Sequence, residues 1–216
     1  MSFLTGSGKS QATQQMAVSG LQLQSSAYGK AVLIIYGTML IAPNLIWYGD
    51  FVATPQSSSA GSGGKGGKGG KGGSRSYTYQ TAVALGIGEG PIANVGNIYV
   101  DKNITSAAAL GLSTFVGNYG QSPWGYLITN HPDQALGYSG IAYLAANAYQ
   151  LGTSPQLPNH NIEVIGIDAY SISDTIHDVD PSLVVADLLT NPHYGCGFPI
   201  SRMGDFSVYQ AYTLGY

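Results

Sequence analysis

With 216 residues the chain has room for one large all-β domain or two small ones. Charged residues make up only 9% of it, against about 25% in ordinary soluble domains, while hydrophobic residues reach 44%. So little charge predicts a surface largely covered by other subunits, and the net charge of −3, with eight carboxylates and one basic residue (Arg202) from Asn103 onward, excludes nucleic-acid binding by the folded body.

Membrane insertion is excluded on length. The most apolar stretch, Ala31 to Trp47, is interrupted by Tyr36-Gly37-Thr38 and Pro43-Asn44, whereas a spanning helix needs roughly 20 apolar residues. Residues 1–20 are polar and rich in Gln and Ser, without the apolar run of a signal peptide. The single Cys196 has no internal disulfide partner, which fits assembly in the cytoplasm.

In chain order, residues 1–28 read as a mobile or partner-dependent arm. Ala31 to Tyr36 reads as the first core strand, closed by Gly37, followed by strands at Thr38–Ala42 and Asn44–Phe51 around a Pro43-Asn44 turn. Residues 56–76 are Gly/Ser-rich, with Gly-Gly-Lys repeated three times and four of the eight basic residues (Lys65, Lys68, Lys71, Arg75). Nothing there offsets backbone ordering entropy, so a disordered basic loop is expected. Tyr77, Tyr79, Thr81 and Val83 alternate with smaller residues, the period of a half-buried strand over Tyr77–Leu85. Gly86–Pro91 reads as a turn, with further strands at Val95–Val100, Ser113–Val116 and Ile162–Tyr170. Tyr138–Tyr149 is Ala-rich enough for a helix, but its Tyr and Ile favour a strand. Asp180-Pro181 sets an N-cap ahead of proline, and Leu183, Val184 and Leu188 share one stripe, which predicts a short amphipathic helix over Pro181–Leu189 ended by Asn191-Pro192. A second helix is expected from Asp205 or Ser207, with the natural chain continuing beyond Tyr216.

The expected organisation is thus an arm at 1–28, a β-rich region at 29–179 containing the loop 56–76, and a further segment with short helices at 180–216. The fold class is mainly β with a few short helices.

No catalytic, cofactor-binding or metal-binding residue is assigned. Gly6-Ser7-Gly8-Lys9-Ser10 looks like the end of a phosphate-binding loop, but Phe3 stands where that motif has its first glycine. His177, Asp178 and Asp180 read better as a polar lead-in to a helix N-terminus than as metal ligands. His131, His160 and His193 sit in turn-like sequence and read as surface residues. Glu89 and Glu163 read as isolated acids, unlike the converging carboxylate pair of a glycan hydrolase. Cys196, within Tyr-Gly-Cys-Gly-Phe, reads as a small apolar filler. The sixteen tyrosines point to interfaces, since Tyr joins apolar area to a polar tip at little entropic cost.

Several pieces, in this order, resemble the phage tail-tip (baseplate hub) proteins, a family also found in gene-transfer agents. They are Tyr36-Gly37 with Asn44-Leu45-Ile46-Trp47, the glycine-rich loop running into Tyr77-Thr78-Tyr79, then Gly88-Glu89-Gly90-Pro91-Ile92. Tyr119-Gly120-Gln121-Ser122-Pro123-Trp124 and Tyr138-Ser139-Gly140-Ile141-Ala142-Tyr143 follow. Leu157-Pro158-Asn159 with Ile162-Glu163-Val164, and Asp180-Pro181 through Leu188-Leu189-Thr190-Asn191-Pro192 with Tyr194-Gly195, complete the set. The resemblance implies barrel-like hub domains, a homotrimer at the distal tail tip of a virion, and a structural rather than enzymatic role. Implied partners are distal tail or tail-tube proteins, the tape-measure protein and, transiently in the lumen, DNA. A glycan-binding or cell-wall-degrading tip module is the alternative. A secreted β adhesin is a further rival, opposed by the missing signal sequence.

Overall fold

The computed structural model describes residues 31–56, 76–167 and 179–203. Eight strands and two helices follow in order: β1 (Thr38–Ile41), β2 (Asn44–Gln56), β3 (Ser76–Glu89), β4 (Asn94–Val100), β5 (Asn103–Thr105), β6 (Ser113–Phe115), α1 (Gly125–Asn130), β7 (Ile141–Gly152), β8 (His160–Ile165) and α2 (Pro181–Thr190). Short 3-10 turns occupy Pro132–Gln134 and Ile200–Arg202. The protein is mainly β with few short helices, as its composition and strand periodicity predict.

The strands form two four-stranded antiparallel sheets, ordered β1-β8-β4-β5 and β2-β3-β7-β6. Pro43 therefore lies at a corner between sheets rather than within a hairpin. The barrel-like expectation takes a different form: among the described residues the ladders do not join into a closed barrel, and each sheet keeps two edges. One core lies between the sheets. Val83, Leu85 and Ile87 of β3 and Leu144 and Ala146 of β7 meet Ile41, Ile98, Ile162 and Val164 of the other sheet. Each fully buried aliphatic chain there contributes about 1.5–3 kcal/mol of burial free energy.

A second layer covers the opposite face of β3 and β7. The residues that alternate outward, Ala82, Ala84 and Ala145, are small, and Trp124, Leu127 and Tyr143 pack on them, with Trp47, Phe115 and Tyr126 at the margin. β3 is consequently buried on both faces from Thr81 to Gly88, rather than half-buried. α1, which no cap or periodicity announces, forms because Trp124 and Leu127 anchor it to this alanine surface.

Two expected elements differ. Ala31–Tyr36 is an extended segment with a single bridge from Tyr36 to Ile167, not a ladder strand. Its carbonyls are taken instead by residues at the ends of β3 and β8: Leu33 accepts from the Glu89 amide at 2.7 Å and Ile35 from the Ile167 amide at 2.7 Å. Gly86–Glu89, expected as a turn, continues β3 and pairs with Ile141–Tyr143. The glycines there serve close packing, since a Cβ on Gly88 would stand 2.7 Å from the Leu33 carbonyl oxygen. β7 is the strand that Tyr and Ile favoured in the Ala-rich stretch, and α2 has the expected N-cap, Asp180 Oδ1 accepting from the Ser182 amide at 2.8 Å. None of the residues of α2 is buried, and Leu188 of its apolar stripe is exposed. The arm at 1–28, the interior of the Gly/Lys loop, His177, Asp178 and the helix expected from Asp205 or Ser207 lie outside the described residues, as does Asp168–Tyr170 of the last expected strand.

Candidate functional site

Five of the sequence pieces that stand far apart in the chain meet at one end of the sheets. β3 leaves its ladder at Gly88-Glu89-Gly90, and Gly90 leads into the cis peptide to Pro91. The Gly90 amide donates to the Gly140 carbonyl at 2.7 Å, and the Ile92 amide to the Val116 carbonyl at 2.9 Å. Gly117 sits between them at φ +87°, where a Cβ would come within 2.7 Å of the Ala142 nitrogen and 2.9 Å of Gly90 Cα. Only glycine fits that backbone crossing. Gln121 then ties the loops together. Its Oε1 accepts from the Gly117 amide at 3.1 Å, and its Nε2 donates to the carbonyls of Tyr138 and Ile141, each at 2.8 Å.

Onto this knot the segment 179–203 is fastened by polar and aromatic groups. Asp187, on α2, accepts the Tyr36 hydroxyl at 2.6 Å and the Tyr194 hydroxyl on the same Oδ2. Burial, then the bond to Asp187, pushes the Tyr36 phenol up to about 12, and the same causes raise Tyr194. Tyr119 stacks on His193 with ring centroids 4.1 Å apart. Burial raises the Glu89 carboxyl above its ordinary value, and nearby His193 pulls it partly back. Asp187 is already committed to two phenols, so the arrangement is a clasp holding a segment, not a free carboxylate pair set around a substrate.

A second cluster lies on the α1 side. Asp50 adopts φ +50° at an irregularity of the β2 ladder between Gly49 and Val52, a conformation that Asp tolerates better than most residues. Its Oδ2 accepts the Tyr126 hydroxyl and meets His131 Nε2 at 2.7 Å. The Tyr126 bond, then the His131 bond, holds the Asp50 carboxyl below its ordinary value. Trp47 packs edge-on against Trp124 at 5.8 Å and lies 5.3 Å from the His131 ring, while its indole N–H donates to Gln134 Oε1 at 2.8 Å. Beside it opens a groove of about 270 Å³ lined by Leu45, Ile46, Trp47, Tyr48 and Gln134.

The other residues singled out in the sequence are spread apart. His160 is buried, not on the surface, and its Nε2 lies 2.8 Å from the Tyr149 hydroxyl. Cys196 is exposed, so it fills no apolar gap. Glu163 accepts from the backbone amide and the side-chain amide of Asn97, at 3.1 and 3.0 Å, and fixes the irregular register of β4. Among the described residues no group of three His, Cys, Asp or Glu side chains is placed to hold a metal ion. Among them, too, no helix is long and apolar enough to cross a membrane. Sequence reasoning missed Asp187, Asp50 and Tyr126: Asp187 meets Tyr36 from 151 positions away, and Asp50 meets Tyr126 and His131 from 76 and 81 positions away.

No family model matches the sequence, and no curated protein matches it. Among solved structures, a chain of the virion of a native gene transfer agent particle is similar over 92% of this chain, at 22% identity and a TM-score of 0.49. This chain spans 40% of the length of that one.

Proposed function

We propose that this chain is a structural component of a phage-like virion, and within it the hub of the distal tail tip. As a homotrimer it adapts a hexameric tail tube or distal tail ring to the tip and its fibre, without catalysing a reaction. The observation that carries this reading is the clasp. Five of the pieces resembling tail-tip hubs, those holding Tyr36, Gly90, Gln121, Tyr138–Ile141 and Asp187–Tyr194, converge there on one joint, while Asn44–Trp47, Tyr77–Tyr79 and Leu157–Asn159 lie elsewhere. That joint presents a helical segment whose apolar side chains Val185, Leu188, Phe198 and Ile200 remain exposed. Apolar groups displayed from a charge-poor chain are suited to burial against neighbouring subunits. Native mass measurement of the full chain, alone and with its tail-tube neighbour, tests the stoichiometry. Three copies per assembly are expected, and six or one would overturn the trimer. Incubation with purified cell walls tests the non-enzymatic role: no soluble fragments are expected, and their release would favour the wall-degrading alternative.

A further inference from the structure

The end of the sheets away from the clasp holds a buried titratable group that the proposed function leaves unused. β3 meets β7 at Glu89–Ile141 beside the clasp and at Thr81–Tyr149 toward this far end. Tyr149 belongs to β7 of one sheet, and His160 opens β8 of the other, where it pairs with Val100. Side-chain bonds such as Asn97–Glu163 and Gln150–Gln80 link neighbours within a sheet. The His160–Tyr149 bond, 2.8 Å long, instead crosses from one sheet to the other, with the two rings edge-on at 5.5 Å. His160 is 6% exposed and Tyr149 is 2% exposed. The connection between their strands, residues 153–159, is anchored nearby: the Asp101 amide donates to the Asn159 carbonyl at 3.1 Å, and Leu157 packs on the core.

The bond suits a neutral imidazole. A neutral ring can accept the Tyr149 hydroxyl at Nε2, whereas a protonated ring carries hydrogens on both nitrogens. The hydroxyl must then turn its hydrogen away into a buried place. Charge is costly there as well. Burial opposes the imidazolium, and the Pro158 carbonyl and the Asp101 carboxylate favour it less strongly, so the ring is held below its ordinary value of 6.5. Tyr149 from β7 and Asp101 from the turn between β4 and β5 are the titratable groups that act on it. Asp101 and its neighbour Lys102 are exposed, so solvent screens both. Burial, then the Asp101 charge, pushes the Tyr149 phenol up to about 12, so His160 alone of the pair changes charge near neutrality. We infer that the His160–Tyr149 pair is an acid-sensitive latch between the sheets, and that a proton on His160 frees the connection 153–159 while the clasp stays closed. Once free, the connection uncovers Leu151 and Leu157, which now pack on the core. The closed state binds the proton more weakly than the open one. Closure is therefore fully supported above about pH 6.5 and declines as the pH falls below it. The latch is independent of the hub reading, because it requires no partner chain.

The test is amide exchange of the full chain, read by mass spectrometry from about pH 7.5 to about pH 5 and corrected for the intrinsic pH dependence of exchange. Residues 151–162 should be at least about tenfold less protected than residues 141–144, and should lose up to about tenfold in protection per pH unit below about 6.5. Pro181–Thr190 should show no such slope. His160→Gln, which keeps a neutral acceptor, should flatten the profile of 151–162. Tyr149→Phe should lower protection there about tenfold at neutral pH. The inference is overturned by a flat profile in the unaltered chain or by a slope that survives His160→Gln. Equal protection of 151–162 and 141–144 also overturns it, since this end would then open only with the whole body. The unaltered chain decides the matter even where a variant fails to fold.

Discussion

The central strands β3 and β7 and the helix α2 are held by opposite means. β3 and β7 are covered on both faces, by the other sheet on one side and by Trp124 and Leu127 on the other. α2 has no buried residue and is attached through Asp187, Tyr36, Tyr194 and the Tyr119–His193 stack. A body held by apolar packing resists opening as a unit, whereas a segment held by a few directed bonds opens locally at smaller cost. The contrast separates what keeps the protein folded from what it leaves exposed on α2.

The largest effect is expected in the body. Leu144→Ala removes a fully buried side chain of β7 and should cost about 2–5 kcal/mol, read from the denaturant midpoint. Gly117→Ala strikes the knot between the two regions. Its Cβ would meet the Ala142 nitrogen at a positive φ, so roughly 1–3 kcal/mol of strain is expected in the same measurement. Asp187→Asn should leave that global midpoint nearly unchanged. It weakens charge-assisted bonds worth about 1.5–3 kcal/mol, so amide exchange should accelerate in Pro181–Thr190 alone. If the whole protein melted with Asp187→Asn, the two regions would be one cooperative unit.

A pH effect of intermediate size sharpens the comparison from the side of the body. Burial lowers the His160 imidazole below its ordinary value of 6.5, so the folded state keeps it neutral while the unfolded chain takes up a proton. Stability is fully present above about pH 6.5 and falls as the pH drops from there toward the folded value. His160→Gln should flatten that slope, and exchange within α2 should follow it no more than the body does. The smallest effect on folding is expected from Val185→Ser combined with Leu188→Ser and Ile200→Ser. All three are exposed, so stability should shift by less than about 0.5 kcal/mol per site, while assembly in the native mass experiment falls. Unchanged assembly would show that α2 displays nothing that neighbours use.

Much of the architecture is legible in local sequence. The alternation at Tyr77–Leu85, the β-formers within an Ala-rich stretch at β7 and the Asp180-Pro181 cap each carry their signal within a few residues. What escapes depends on partners distant in the chain. Gly86–Glu89 looks like a turn because glycine signals one locally, yet its meaning is the close approach of Leu33. α1 is six residues long with no side-chain cap, and its anchor is an alanine surface made by two other strands. His160 sits in Pro/Asn-rich sequence but turns its ring into the core toward Tyr149. The clasp was visible only as an ordered set of short pieces; their meeting point was not.

The pairing of β2 with β3 continues outward to Pro55–Tyr77 and Gln56–Ser76, where Gln56 Nε2 also donates to Thr78 Oγ1 at 2.8 Å. The two sides of that tip are thus held together by the ladder itself, whatever joins them. Lengthening a connection between ends already paired costs only about 0.6 kcal/mol per doubling. The position between Gln56 and Ser76 is accordingly a natural splice point, where an epitope or a reporter domain can be inserted without renegotiating the register of the body.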